Sequence, residues 1–277
     1  MLKMTLEDIS VNFKKVKALR HVSYELKPGI TALLGPNGAG KSTLMNVICT
    51  LRKPSTGKVY YNGVDITKQK REYLSKVSVQ FQNQPMFKND AAMDYLLFCG
   101  ALKGLGRDEI QKQGKALLQQ FGIADTGKKV ISAFSGGMRQ RLALAGTFLG
   151  NPEIILLDEP SAGLDIYERE ELKRYLCELK KERIIIVSTH IVSDVEDIAD
   201  DIVLLSNGRI HASGSQEELV QSLRGQIWEL PEDCDVQVPT YYSNGKRLCR
   251  SDEMPISGAI QKNPDLTDAY FSCVKKR

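Results

Sequence analysis

The run Gly35-Pro36-Asn37-Gly38-Ala39-Gly40-Lys41-Ser42-Thr43 restricts what this chain can fold into more than any other part of its sequence. It follows a short apolar stretch, Thr31-Ala32-Leu33-Leu34, that reads as a buried strand, and it leads into a stretch from Lys41 to about Leu51 that reads as a helix. Glycines at these positions let backbone N–H groups turn inward around an anion, and the N-terminus of the helix adds its partial positive charge. The GxxxxGK[ST] spacing between a strand and a helix therefore predicts a phosphate cradle. Lys41 is placed to reach β- and γ-phosphates, and Ser42 offers a hydroxyl to magnesium.

A second apolar run, Ile154-Ile155-Leu156-Leu157, ends in two adjacent carboxylates, Asp158 and Glu159. Neighbouring strand residues point to opposite sides, so two acids at a strand tip can hold different jobs: Asp158 toward magnesium, Glu159 toward an attacking water. Val77-Ser78-Val79, Ile184 to Val187 and Ile202 to Leu205 are further strand candidates. Continuous apolar runs of this kind suit strands buried on both faces, and their alternation with helical patterns predicts an α/β fold with a mostly parallel sheet.

Between about Lys88 and Gly150 the spacing turns helical, with Met93, Leu96 and Leu97, then Leu117, Leu118 and Phe121. This predicts an inserted helical subdomain, about residues 88–150, within a unit of residues 1–214. Residues 215–277 read as a small α+β appendage: a strand near Gln226 to Leu230, a turn at Asn244-Gly245, and a helix capped by Asn263 with Pro264 in its first position. Leu266, Ala269, Tyr270 and Cys273 form that helix's apolar face.

Composition mainly excludes. Lys and Arg number 38 against 34 Asp and Glu, a net charge of +4, too small a bias to mark a nucleic-acid channel, so no nucleic-acid partner is expected. The six cysteines, Cys49, Cys99, Cys177, Cys234, Cys249 and Cys273, make no CxxC pair, which argues against zinc and a secreted disulfide framework and for reduced thiols in the cytoplasm. Apolar runs stop well short of a bilayer span, and Met1 to Asp8 lacks the pattern of a secretory signal. The chain is not expected to enter a membrane by itself.

Phe134-Ser135-Gly136-Gly137-Met138-Arg139-Gln140-Arg141 narrows the reading, because it resembles the LSGGQ signature of the ATP-binding cassette (ABC) family, with Phe134 for Leu and Met138 for Gln. Other elements of that family fall in order. Gln82 matches the Gln-loop position, with Gln80 and Gln84 crowding it; Ser161-Ala162-Gly163-Leu164-Asp165 resembles the D-loop; Ser188-Thr189-His190 matches the switch histidine; and Phe13 stands where an aromatic stacks on adenine. The resemblance covers about the first 215 residues.

It implies a P-loop NTPase fold: a RecA-like core with an antiparallel β portion and the inserted helical subdomain. It implies ATP and Mg2+ as cofactors and a dimer, homodimeric if the partner is identical, in which ATP lies between the phosphate loop of one protomer and the signature of the other. Under this resemblance Glu159, His190, Lys41 and Gln82 are the catalytic candidates. Phe13, Gly35 to Thr43, Ser135, Gly136, Gly137 and Asp165 bind nucleotide, and Ser42, Gln82 and Asp158 are the magnesium candidates.

One compact cassette, with about ninety residues between phosphate loop and signature, favours a transporter subunit over the coiled-coil chromosome-type and two-cassette translation-associated members. The tail Asn263 to Phe271 resembles the PxLEDxF-like ending of bacterial drug, peptide and polysaccharide exporter ATPases, with Thr267 where Glu is usual. The expected partner is a transmembrane permease, which would hold this chain at the inner face of the cell membrane. An importer subunit and a soluble ABC ATPase acting on ribosome or nucleic acid are the alternatives. Met86, Phe87, Met93, Tyr95, Leu96 and Phe98 read either as a groove for the permease's coupling helix or as internal core.

Overall fold

The computed structural model describes residues 2–14, 16–126, 129–232 and 234–274. The chain opens with two long antiparallel strands, β1 (Met4–Phe13) and β2 (Val16–Leu26). β3 (Gly29–Leu34), buried at all six residues, leads through the glycine-rich loop into α1 (Lys41–Ile48). β4 (Thr56–Tyr61) and β5 (Val64–Asp65) return to the first sheet, giving it the order β2-β1-β4-β5. After α2 (Lys70–Ser75) and β6 (Val77–Gln80) come three helices, α3 (Ala92–Leu102), α4 (Arg107–Gln120) and α5 (Gly136–Phe148). β7 (Ile154–Asp158), α6 (Ile166–Leu179), β8 (Ile184–Thr189), β9 (Asp201–Ser206) and β10 (Arg209–Gly214) complete a second sheet of order β10-β9-β3-β8-β7-β6. Only β10 runs antiparallel in it.

The burial on both faces expected from the apolar runs follows the two-residue period of a strand. Ile155, Leu157, Ile185, Val187, Ile202 and Leu204 pack with α3 to α6 on one side. Ile154, Leu156, Ile184, Ile186, Val203 and Leu205 pack with α1 and the antiparallel sheet on the other. The expected α/β core with an antiparallel β portion and α-helical insertion is thus the observed architecture. All six cysteines are free. Among the described residues, no helix is long and apolar enough to cross a membrane.

The α3 region resolves the ambiguity left by its spacing. Tyr95 and Leu96 are core, and Met86 and Met93 lean on that core, whereas Phe87 and Phe98 are half-exposed and meet edge to face with centroids 5.1 Å apart. Of these six residues, this last pair offers an apolar surface outward, and Leu102 at the end of α3 is exposed as well.

Beyond β10, α7 (Gln216–Gln221) and β11 (Ile227–Glu229) precede a hairpin, β12 (Thr240–Ser243) and β13 (Lys246–Arg250), then β14 (Ile260–Gln261) and α8 (Leu266–Cys273). The hairpin turns at Asn244 (φ 51°) and Gly245 (φ 76°), the left-handed pair of a type I′ turn. Asp265, not Asn263, caps α8: its side chain accepts from the Asp268 N–H while the Asp268 carboxylate accepts from the Asp265 N–H. Lys262 bridges both carboxylates at 2.8 Å, so the reciprocal box outcompetes the isolated Asn-Pro signal. Leu219, Leu223, Ile227, Leu266 and Ala269 join the main core, while Trp228, Leu230, Cys249 and Ala259 make a separate small one.

One buried cation joins the helices to the sheet. Lys103, just past α3, donates from Nζ to the Gly146, Thr147 and Leu149 carbonyls at the end of α5 and to Ser78 Oγ on β6, at 2.6 to 3.2 Å. Burial pushes its pKa down to about 8. It satisfies helix-terminal carbonyls that have no partner of their own. Lys103→Met strands those carbonyls and is expected to cost about 2 kcal/mol or more, read as a lower urea midpoint; an unchanged midpoint would mean the ammonium adds nothing net.

Candidate functional site

Register brings the chemistry together. Leu34 lies opposite Thr189, Ser188 opposite Asp158 and Leu157 opposite Gln80, so β3, β8, β7 and β6 end at one edge of the sheet. The glycine-rich loop, His190, Glu159 and Gln82 all emerge there, where ligands of open α/β sheets sit. A cleft of about 460 Å³ results, lined by Pro36 to Thr43, Gln82, Asp158 and Glu159, with Val16, Lys17, Ala18, Arg20, Asn207 and Gly208 as its far wall.

The loop is shaped by contacts that only glycine tolerates. A Cβ on Gly35 would stand 2.1 Å from the Leu205 carbonyl, and Gly40, at φ 111°, would put one 2.7 Å from the Ala18 carbonyl. The turn at Asn207-Gly208 clamps the loop from outside, with the Gly208 N–H donating to the Ala39 carbonyl at 2.9 Å.

Lys41 is almost wholly withdrawn from water, its Nζ donating to the Gly35 carbonyl at 2.6 Å and the Pro36 carbonyl at 3.3 Å. Glu159 Oε1 lies 3.8 Å from the same nitrogen. Burial lowers the Lys41 pKa, against the opposing pull of Glu159 and Asp158.

The two acids at the end of β7 have different partners: Asp158 closes the strand, and Glu159 follows it in a left-handed backbone. Asp158 accepts from Ser42 Oγ at 2.7 Å and Ser188 Oγ at 2.6 Å. Glu159 adopts a left-handed backbone (φ 50°), a conformation costly for a residue with a Cβ, which swings its carboxylate to His190 Nδ1 at 2.9 Å and Thr189 Oγ1 at 3.3 Å. Ser42 and Asp158 make one hydroxyl and one carboxylate in direct contact. Among the described residues no group of three or more His, Cys, Asp or Glu could hold a metal ion. That sparse, all-oxygen donor set fits Mg2+, which keeps several waters and shares phosphate oxygens, and does not fit a cation needing a protein cage.

Of the three crowded glutamines, Gln82 lines the cleft. Gln80 is fully buried, donating to the Phe81 carbonyl, and Gln84 accepts from the Phe81 N–H. Phe13 is not among the residues that line the cleft; its ring lies beneath the Arg52 guanidinium, 4.4 Å away, and stays partly exposed, and Val16, its partner across the hairpin, does line the cleft.

Ser135, Gly136, Gly137 and Asp165 do not line this cleft either. Ser135 caps α5, its Oγ accepting from the Met138 N–H at 3.1 Å, and Asp165 caps α6 in a reciprocal box with Glu168. The two helix starts abut each other, since a Cβ on Gly137 would come 2.9 Å from the Gly163 carbonyl. Gln140, one turn into α5, donates to the Pro160 carbonyl at 2.8 Å and so ties that helix to the residue after Glu159. Sequence reasoning missed Gln140, Ser188 as an Asp158 partner, and the far wall. The Ser188-Thr189 pair before His190 carried a signal; the wall residues carried none.

The family model described as ABC transporter matches residues 19–162. The chain is 35% identical over 230 residues to the ABC transporter ATP-binding protein NatA of Bacillus subtilis (strain 168), covering 80% of this chain and 94% of that one. It is also 35% identical over 219 residues to the sulfate/thiosulfate import ATP-binding protein CysA of Mycobacterium tuberculosis (strain ATCC 25618 / H37Rv), covering 78% of this chain and 62% of that protein. A solved structure of an ATP-binding subunit of an ABC transporter superposes with a TM-score of 0.74 at 27% identity, covering 80% of this chain and 93% of that one.

Proposed function

Because this chain belongs to the ABC transporter family, we propose that it energises export of a substrate through a separate membrane-spanning permease, closing as one half of a dimer around two ATP. It is an ATP-binding subunit, and its reaction is ATP hydrolysis. The observation that carries the rest is the chain of contacts from His190 through Glu159 to Lys41, at 2.9 and 3.8 Å, at the mouth of the glycine-rich loop.

In this reading the loop N–H groups and Lys41 bind the phosphates, and Gly35 to Thr43 provide the cradle. Ser42 and Asp158, with Gln82 at the cleft mouth, would hold magnesium, which when bound neutralises charge on the β- and γ-phosphoryl oxygens. Glu159 takes the proton of the attacking water, and His190 holds the carboxylate in orientation from its Oε1 side. Lys41 and the partner protomer's signature stabilise charge on the transferred group. Ser135, Gly136 and Gly137 begin α5 at an exposed surface outside their own cleft, which suits delivery to the nucleotide of the other protomer, with Asp165 beside them. The homodimer, the cytoplasmic face of the membrane as location, and the division into residues 1–214 and an appendage of residues 215–277 belong to the same proposal.

Export rests on the tail resemblance over Asn263 to Phe271. Import is the second reading, favoured by the similarity to an import ATP-binding protein. In both, the half-exposed Phe87 and Phe98 pair supplies the apolar surface for the permease.

Glu159→Gln is expected to keep ATP affinity within a few-fold while turnover falls about a hundredfold or more, compared by nucleotide titration and phosphate release. Near-normal hydrolysis would remove Glu159 from the role. Phe98→Ser is expected to leave the ATPase rate of the isolated chain unchanged and to abolish its stimulation by the reconstituted permease; retained stimulation would remove this surface from docking.

A further inference from the structure

Asp194 is a buried carboxylate that the reaction scheme above leaves unused. It ends the short 3-10 turn Val192–Asp194 just beyond His190, and its side chain is only 7% exposed. Three donors from three segments converge on it. Ser161 Oγ, two residues past Glu159, donates to Oδ2; Thr189 Oγ1, at the end of β8, lies 3.5 Å from the same oxygen; and Arg169 Nη1, on α6, donates to Oδ1 at 3.3 Å. Arg169 also donates from Nε to the Leu164 carbonyl, at the other end of the Ser161 to Asp165 loop. The C-terminal helix α8 packs on this turn.

Thr189 gives the arrangement its consequence. Its hydroxyl has one proton and two carboxylates within reach, Glu159 Oε2 at 3.3 Å and Asp194 Oδ2 at 3.5 Å. With Ser161 donating to Asp194, that oxygen is already served and the Thr189 proton is free to hold Glu159. With Ser161 withdrawn, a buried carboxylate oxygen left short of a donor is costly, and the Thr189 proton is the nearest replacement.

We propose that Asp194 is a positioning residue for Glu159: through Thr189 it makes the hold on the Glu159 carboxylate depend on where Ser161, and hence the Ser161 to Asp165 loop, is seated. The inference rests on the reading of Glu159 as the group that takes the water's proton. It makes one side-chain network report the state of the loop that leads to Asp165 and α6 to the residue doing the chemistry.

The test uses the full chain and measures kcat and KM for ATP, the Kd of a fluorescent ATP analogue, and urea midpoints for Asp194→Asn, Thr189→Val, Ser161→Ala and the double variants. Ser161→Ala and Thr189→Val are each expected to lower kcat about tenfold or more, with KM and Kd within about twofold, their double variant to be no slower than the slower single, and Asp194→Asn, which weakens the competing acceptor, to restore kcat in the Ser161→Ala background. A wild-type kcat for Ser161→Ala, losses that multiply in the Ser161→Ala, Thr189→Val double variant, or a Ser161→Ala, Asp194→Asn variant as slow as Ser161→Ala alone overturns the proposal. Should Asp194→Asn fail to fold, Ser161→Ala and Thr189→Val remove hydroxyls without touching the buried acid. Non-additive losses in that pair support the coupling, and multiplying losses overturn it. Glu159→Gln run alongside separates the two levels: if it hydrolyses ATP normally, the reading of Glu159 fails and the proposal with it, whereas an inactive Glu159→Gln with multiplying losses sinks the proposal alone.

Discussion

A lysine ammonium taken out of water at the root of the glycine-rich loop is the constraint around which the site is arranged. An isolated buried cation is prohibitively costly, so Lys41 persists because the Gly35 and Pro36 carbonyls and the Glu159 carboxylate surround it. Those partners come from two different strand ends, β3 and β7, which can meet only because β3, β8 and β7 lie side by side with their C-terminal ends aligned. The full burial of these three strands is therefore a condition for the chemistry as well as for stability. A register slip of one residue would turn Asp158 and Glu159 to each other's faces and leave Lys41 without its counter-charge.

The helices reach this centre through a few polar ties and not through packing alone. Lys103 fastens α3 to the end of α5 and to Ser78 on β6, the strand that leads to Gln82. Gln140 runs from α5 to the Pro160 carbonyl beside Glu159, and Arg141 joins α5 to Glu168 on α6 and to the end of α4 through the Phe121 and Gly122 carbonyls. A movement of the exposed Phe87 and Phe98 surface on the helical side thus has continuous physical routes to the strand tips. Most of these ties run from a side chain to backbone carbonyls, while Lys103 to Ser78 and Arg141 to Glu168 join side chain to side chain.

The parallel core was legible because its strands are written as uninterrupted apolar runs, and the loop because glycine, lysine and hydroxyl at fixed spacing have one physical use. Asp158 and Glu159 were legible because they follow such a run directly; His190, beyond Ser188 and Thr189, was legible through its place in the series of family motifs. What stayed hidden depends on partners far away in sequence. The cation over the Phe13 ring, Arg52, comes from beyond α1. Asn263-Pro264 was read as the cap of the last helix, but Lys262 joins Asp265 and Asp268 into a stronger one. β12 and β13 escaped notice because they are short, with buried Tyr241, Leu248 and Cys249 set among exposed polar residues and the turn at Asn244-Gly245 as the local sign. Asp194 carries no signal of its own in the sequence, and the fold shows three donors converging on it.

The central claim, that this site works by driving a membrane partner, is tested most directly by what the ATP-trapped form holds on to. Tagged Glu159→Gln, expressed in the native cell and recovered from membranes solubilised with ATP present, is predicted to bring down a polytopic membrane protein in stoichiometric amount. Recovery of ribosomes, nucleic acid or soluble proteins alone would contradict the account and assign the same hydrolytic centre to a different machine.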